Sequence, residues 1–152
     1  MLPLATGAAP YIVQKRASLG QFSPDGRWIA YVSDQGGRKE VFVSAFPGSG
    51  AKWQISNGGG SKPRWSPEGR KLVYLTPDLG LMEVDVENRA ATFETSAPQP
   101  LFNTTFAFED ERVPYAIGRG GAEFLIIKDA DGPNSSQATM VLNWPLLLPR
   151  RN

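Results

Sequence analysis

The chain has 152 residues, and its 16 Lys and Arg against 15 Asp and Glu give a formal charge of +1. It contains no Cys and no His, which excludes disulfides, thiolate or imidazole metal ligands, cysteine nucleophiles and histidine bases. The near-neutral charge gives no electrostatic drive toward nucleic acid or acidic membranes, so we expect neither as a partner. With 41% hydrophobic residues, 16 Gly and 13 Pro, the composition favours an all-β fold of short strands and tight turns.

The beginning of the chain does not resemble a secretory signal, because Met1–Ala5 has neither a basic region nor a sustained apolar stretch. The longest apolar stretches, Phe124–Ile127 and Met140–Leu148, fall short of the roughly 18 residues that a membrane span needs. We therefore expect a cytoplasmic protein as the chain stands. A periplasmic or extracytoplasmic location is expected instead if the chain is a fragment of a larger sensor protein.

An internal repeat organises the chain. The segments Phe22–Tyr31 and Trp65–Tyr74 share five of ten residues at a spacing of 43, including a Ser-Pro-Asp/Glu-Gly-Arg core. Each blade of a β-propeller is one four-stranded repeat of roughly 40–45 residues, which is this spacing. A degraded third copy, Ile117–Ile126, has Gly121 in the repeat position of Gly26 and follows at a spacing of 52. The second blade is therefore expected to contain additional residues.

Each copy predicts a strand, a tight turn and a second strand, because Pro presets φ, the acid can bond its own backbone and Gly supplies a positive φ. The strands expected around these turns are Gly20–Ser23, Trp28–Ser33, Glu40–Ala45, Lys52–Ser56, Pro63–Ser66, Lys71–Thr76, Gly80–Val86, an outer strand within Ala91–Phe102, Val113–Ile117, Glu123–Lys128 and Thr139–Trp144. They form blades at approximately residues 17–56, 60–102 and 113–144 of one domain covering residues 1–152. The strand-like segment Tyr11–Arg16 precedes the first blade, and the third blade lacks its fourth strand.

The hairpins Phe22–Gly26 and Trp65–Gly69 resemble those of TolB-like, WD40-like β-propellers. Further likeness lies in Gly20–Ser33, Lys52–Ser56, Pro63–Trp65 and Val141–Trp144, which resemble the C-terminal propeller of bacterial serine/threonine protein kinases. The third hairpin departs from the pattern, because Gly118-Arg119-Gly120 replaces Ser-Pro-Asp. The sequence has no Gly-rich phosphate loop with a following strand Lys, no His-Arg-Asp and no Asp-Phe-Gly. The resemblance therefore implies a non-catalytic propeller module and no kinase activity.

Few residues suggest catalysis or metal binding. Ser49 and Lys52 fit the Ser-x-x-Lys pattern of serine hydrolases, but that pattern needs the first turn of a helix, and a turn-rich loop is expected here. The acidic segments Glu109-Asp110-Glu111 and Asp129-Ala130-Asp131 match no calcium loop and indicate solvated loops. We assign no catalytic residue, metal ligand or cofactor.

Two further features suggest binding. The loop Asn57–Lys62 contains three consecutive glycines whose N–H groups are suited to an anion, but no strand-loop-helix context supports a phosphate loop, and we interpret the loop as a flexible connector between blades. Trp28 and Trp53 are candidates for surface aromatic residues. The other aromatic residues of the repeats are expected in the packing between blades.

Basic residues precede or begin the inner strands of the blades. Connectors at these positions surround one mouth of a propeller channel, so we predict a basic rim formed by Arg16, Lys62, Arg64 and Arg112. Ordinary solvated charge is the alternative. The expected function is a binding or scaffolding module that recognises a protein, a peptide or a small ligand at this mouth. The alternatives are an esterase-like hydrolase using Ser49 and Lys52, and a fragment with no function of its own.

Three blades do not close a ring, because propellers have about four to eight. We predict a two-fold homodimer with six blades, in which Tyr11–Arg16 of each chain adds an outer strand beside Thr139–Trp144 of the other. Residues 1–76 hold ten Lys and Arg and four Asp and Glu (+6), whereas residues 77–152 hold six and eleven (−5). Opposite charges therefore meet across the predicted interface. The alternative is a fragment whose edges are covered by upstream blades.

Overall fold

The computed structural model describes residues 15–47, 51–89, 92–104, 113–129 and 136–142. These residues form β-strands and one 3-10 turn, Arg119–Gly121, and they contain no α-helix. The strands are β1 Ala17–Phe22, β2 Trp28–Ser33, β3 Glu40–Ala45, β4 Lys52–Gln54, β5 Ser61–Trp65, β6 Lys71–Leu75, β7 Gly80–Arg89, β8 Thr92–Thr95, β9 Gln99–Asn103, β10 Tyr115–Ile117, β11 Glu123–Asp129 and β12 Ser136–Leu142. The all-β prediction is confirmed for this part of the chain.

Every strand pair is antiparallel. The first sheet has the order β1-β2-β3-β4, the third has the order β10-β11-β12, and in the second β5-β6-β7 is followed by both β8 and β9. Apart from β8 and β9, which both pair with β7, strands that follow one another in sequence within a sheet are neighbours, as in a meander. This arrangement is consistent with propeller-like blades.

The sequence repeat is repeated in backbone detail at the first hairpin of each blade. In the first copy, the Gly26 N–H donates to the Ser23 carbonyl at 2.9 Å, and the Trp28 N–H donates to the Ser23 hydroxyl at 3.0 Å. The same bonds recur in the second copy, at Ser66, Gly69 and Lys71. Gly26 and Gly69 have φ values of +72° and +69°, so the expected need for glycine is confirmed.

The third hairpin keeps a closing backbone bond and a positive φ at its repeat glycine without the Ser-Pro-Asp sequence. The Gly118 N–H donates to the Glu123 carbonyl at 2.8 Å, and Gly121 has a φ of +71°. Gly121 therefore occupies the repeat position that its alignment with Gly26 predicts. In the first two copies proline fixes φ in the turn, whereas in the third copy two adjacent glycines allow the turn because their backbone conformation is less restricted.

The inner strands β1 and β5 share a bulge that the sequence did not predict. Leu19 and Lys62, 43 residues apart, have φ values of +54° and +53°, and the pairing register shifts beside both. Positive φ is uncommon for residues with a side chain, so its recurrence indicates a conformation imposed by the blade. At the same alignment position the third copy has Pro114, whose ring excludes a positive φ.

The outer part of the second blade differs from the prediction of a single strand within Ala91–Phe102. The first half of the ten-residue strand β7 pairs with β9, and its second half pairs with β8. The β7–β8 extension explains the longer spacing to the third repeat.

The β7–β8 extension also places Phe93 with its ring centroid 4.9 Å from that of Trp28 and 5.2 Å from that of Trp53. The expectation of a surface position is wrong for Trp28, which is buried, whereas Trp53 is partly buried beside Phe93.

The second sheet lies between the other two, since alternate residues of β6 enter different cores. Leu72 and Tyr74 belong to a cluster that includes Trp28, whereas Val73 and Leu75 belong to a cluster that includes Phe124. Successive side chains of a strand point to opposite faces, so each face of this sheet packs against a neighbouring sheet.

Hydrogen bonds join the three inner strands. The indole N–H of Trp65 on β5 donates to the Gln21 carbonyl of β1 at 3.2 Å. The Tyr115 hydroxyl of β10 lies 2.7 Å from the Lys62 carbonyl and 3.0 Å from the Val73 carbonyl, both in the second sheet. Strand β5 therefore contacts β1 and β10 through separate polar links.

Candidate functional site

The predicted basic residues are placed at two separate positions in the described structure. Arg16 lies in the turn before β1 and forms an exposed ion pair with Asp34, at 3.2 Å. Lys62 and Arg64 lie on β5. A shallow cavity of about 280 Å³ beside Arg16 is lined by Ala17, Ser18, Val32, Asp34 and Lys39 and includes neither residue of β5. Arg112 lies outside the described residues.

The segment Tyr11–Arg16, predicted as a strand, is described only at its end. Lys15 and Arg16 form a turn, and Arg16 has a φ of +55°. Tyr11–Gln14 lie outside the described residues. The strand expected there stays a prediction.

Arg64 lies on β5, the inner strand that contacts the inner strands β1 and β10 of the other two sheets. Arg64 is half-buried as a residue and forms no ion pair with a residue in the described ranges. Tyr115 is close enough for the two groups to interact electrostatically: burial raises the pKa of the Tyr115 hydroxyl far above its ordinary value, and the positive charge of Arg64 opposes that rise. Arg64 is thus a cation in a partly desolvated position, where an anion is favoured.

The loop Asn57–Lys62 binds a carboxylate of the same chain, that of Glu40. The Glu40 carboxylate accepts hydrogen bonds from the N–H groups of Gly58 and Gly59, at 3.3 and 3.0 Å, from the Arg38 guanidinium at 2.8 Å, and from the Ser56 hydroxyl. Burial alone would raise the pKa of Glu40, but these hydrogen bonds outweigh it and hold the pKa below its ordinary value. The loop therefore works as an internal carboxylate clamp. Its backbone donors at Gly58 and Gly59 are already used.

The hydrolase candidate has little structural support. Lys52 lies on β4, and its ammonium is 4.7 Å from the centre of the Phe42 ring, a cation–π contact. Ser49 lies outside the described residues, as do Glu109, Asp110 and Asp131. No group of three or more His, Cys, Asp or Glu side chains suited to a metal ion occurs in the described part of the chain.

A second cavity lies at the hairpin-turn end of the blades. It has a volume of about 270 Å³ and is lined by Asp25, Glu68, Gly69, Arg70 and Val86. The Gly120 N–H of the third turn donates to Glu68 at 3.1 Å, so the turns of the second and third repeats touch. The sequence analysis did not assign these residues to a site. The sequence signal that could have found this site is that the turn residues occupy equivalent positions in the repeats.

Within the described ranges, no helix has the length and apolar character required to cross a membrane. The compartment stays a prediction.

Comparison with known proteins gives partial matches. No protein-family model matches the chain. Over 85 residues, or 55% of the chain, it is 34% identical to an uncharacterized peptidase, YuxL, of Bacillus subtilis strain 168, and this match covers 13% of that protein. The chain thus corresponds to a small part of this relative.

Three solved structures are similar over parts of their length. The structure titled as putative TolB from Agrobacterium tumefaciens is 26% identical, with a TM-score of 0.40, and the match covers 57% of this chain and 34% of that one. The structure of a putative 6-phosphogluconolactonase from Bacteroides uniformis has 17% identity and a TM-score of 0.46, with coverages of 81% and 39%. For TolB from Acinetobacter baumannii the values are 13%, 0.38, 84% and 41%.

The chain spans less than half of each of these structures. Because every TM-score is below 0.5, the propeller-like arrangement described above rests on the strand pairings, hairpins and packing of this chain. The relation to kinase-linked propellers stays a prediction.

Proposed function

We propose that the chain is a non-catalytic β-propeller module that binds an anionic ligand, a carboxylate- or phosphate-bearing peptide or small molecule, at Arg64 near the channel mouth. The carrying observation is the half-buried residue Arg64 on the middle inner strand, without an ion pair to any described residue. A guanidinium presents a planar fork of N–H donors that matches carboxylate and phosphate oxygens.

The position of Arg64 favours a ligand site over a structural role. The residues at the same repeat position in the other inner strands are Gln21 and Ala116, and Gln21 uses its side-chain oxygen to accept from the Trp65 N–H at 3.1 Å. Gln21 thus forms a structural bond through its side chain, whereas the side chain of Arg64 has no such bond to the part of the chain that the structure describes. The adjacent Lys62 adds a second positive charge on the same strand.

An enzymatic function has weaker support. The peptidase relative is matched over 13% of its length, and Lys52 is engaged with the Phe42 ring. We therefore treat ester hydrolysis by Ser49 and Lys52 as the second candidate. A screen with ester substrates tests it, because turnover that is lost in Ser49→Ala would favour the hydrolase.

The binding proposal is tested by titrating the protein with pyrophosphate and with an acidic Glu-rich peptide, following heat or tryptophan fluorescence. We expect binding that weakens with salt. Arg64→Gln should reduce the affinity by about tenfold or more, which corresponds to about 1.4 kcal/mol.

The matched control is Arg70→Gln, a change of the same type at an exposed arginine beside the hairpin-turn cavity. It should leave binding unchanged. Absence of binding to both probes, or equal affinities of wild type and Arg64→Gln, would overturn the proposal.

A further inference from the structure

The outward face of the third sheet exposes apolar side chains that its repeat equivalents bury. Leu125 and Ile127 on β11 are 40% and 37% exposed. Aligning Gly121 with Gly69 places them at the positions of Val73 and Leu75, which are 0% and 3% exposed because they pack against the third sheet. The same side of each sheet thus faces its successor. The described structure contains no successor for the third sheet.

The first sheet, at the opposite end of the three packed sheets, has a complementary feature. Phe22 is 50% exposed, although Trp65 at the same repeat position is 6% exposed and lies in the junction with the preceding sheet. Phe46 packs edge-on against Phe22, with ring centroids 4.9 Å apart. Ile29 and Tyr31 of β2 lie on the same face as Phe22 but are only 7% and 2% exposed, so Phe22 is the large apolar side chain of this face that is left for a contact with another sheet.

We propose that the third sheet of one chain docks through Leu125 and Ile127 on the Phe22 side of the first sheet of a second copy. The reciprocal contact forms between the other two ends. Each contact continues the kind of junction that already joins the first sheet to the second and the second to the third. Two rows of three blades then close one ring of six, within the range of about four to eight blades that propellers use.

Charge complementarity supports a second copy as the occupant. Residues 1–76, which include the first sheet, carry a net charge of +6, and residues 77–152, which include the third, carry −5. Docking brings the basic half of each chain against the acidic half of the other. Such an arrangement steers association and disfavours pairing of like ends.

This docking does not depend on the exchange of outer strands that the sequence analysis predicts. That exchange involves Tyr11–Arg16 and Thr139–Trp144, and positions 11–14 and 143–144 lie outside the described residues. The contact through Leu125, Ile127 and Phe22 rests on side chains within them. It is also independent of the proposed ligand, so Arg64→Gln should not change the oligomeric state.

Light scattering coupled to size-exclusion chromatography tests the inference on the full chain. We expect a mass of twice 16.6 kDa that is constant over a wide range of protein concentration. Phe22→Lys and Ile127→Glu, each alone, should give monomers, because each places an unpaired charge in both junctions of the ring.

Mixing the two variants provides a test that misfolding cannot imitate. In a mixed dimer, one junction pairs wild-type Ile127 with wild-type Phe22, and the other pairs the introduced glutamate with the introduced lysine as opposite charges. The mixture should therefore recover the dimer mass. Leu79→Asn is the matched control: Leu79 is 36% exposed but belongs to neither face, and Asn tolerates its positive φ, so this variant should stay dimeric.

Four results would overturn the inference. They are a wild-type monomer, an assembly whose mass grows with concentration as an open chain of copies would, single variants that dimerise like wild type, and failure of the mixed variants to associate. Ligand binding by a monomeric protein would leave the proposed function intact, which keeps the two proposals separable.

Discussion

The Gly59 N–H lies 3.0 Å from the Glu40 carboxylate, so the connector between the first two sheets closes around an anion at the start of β3. Ser56 supports the same site, because its hydroxyl accepts from the Val41 N–H at 2.8 Å and donates to Glu40. Gly58 and Gly59 have φ values of +124° and +103°, a region in which a side chain is strained. The glycines thus serve an internal bond that fixes the entry to β5.

Glu40→Gln should lower the free energy of unfolding by about 1–3 kcal/mol, since it weakens a buried and multiply bonded acceptor. The loss should depend on pH. Hydrogen bonding lowers the pKa of Glu40, so its stabilisation is complete above the unfolded value near 4.5 and is lost as the pH falls through the lower folded value.

Urea unfolding at neutral and acidic pH measures this effect. The difference between wild type and Glu40→Gln should be largest at neutral pH and should shrink in acid. Glu94→Gln, at an exposed glutamate of β8, is the matched control and should change stability little. A difference that stays constant into strong acid would contradict the assignment.

Gly26→Ala and Gly69→Ala should each lower stability by roughly 1 kcal/mol, because both positions need a positive φ. Gly69→Ala should cost more, since the new Cβ would lie 3.3 Å from the Pro24 ring, whereas Gly26 has open space around it. Gly36→Ala, at a turn glycine without positive φ and with open space, is the control. Thermal melting ranks the three variants, and equal melting temperatures would refute the turn assignment.

The hairpins and the strands beside them were predictable because their signals are local. Trp28–Ser33 and Glu40–Ala45 have the expected bounds, since turn residues flank each apolar run. The β7–β8 extension was not predictable, because Asn88–Phe93 contains no strong turn sequence and its stability comes from packing. Phe93 meets Trp28, Trp53 and Trp65, which belong to other strands.

The candidate site was predictable in residue type but not in arrangement. The repeat phase placed Lys62 and Arg64 at the start of an inner strand, and the structure puts both on β5. The sequence repeat did not reveal that Arg16 pairs with Asp34, because an ion pair between residues 18 positions apart depends on how two loops meet. The preferred interpretation of the loop Asn57–Lys62 was a flexible connector, and the alternative, an anion bound by its N–H groups, is the one that matches the bonds to Glu40. Its partner, Glu40, lies on a separate strand and was missed.

The Tyr115 hydroxyl links the second and third sheets, and its removal gives the last prediction. Tyr115→Phe keeps the ring but deprives the carbonyls of Lys62 and Val73 of their shared donor. We expect a loss of about 1 kcal/mol at neutral pH. Tyr31→Phe is the control, because the Tyr31 hydroxyl bonds Ser44 within the first sheet and should not affect the junction.

Alkaline pH separates this role from simple packing. Burial raises the pKa of Tyr115, so its stabilisation is complete below the unfolded value near 10 and is lost as the pH rises above that value. Wild type should therefore lose stability above about pH 10 more steeply than Tyr115→Phe. Urea unfolding from about pH 8 to about pH 11, with tyrosinate absorbance recorded in parallel, measures both quantities. If Tyr115→Phe and wild type lose stability with the same slope, or if all four tyrosines of the folded protein ionise near pH 10, the Tyr115 link is refuted.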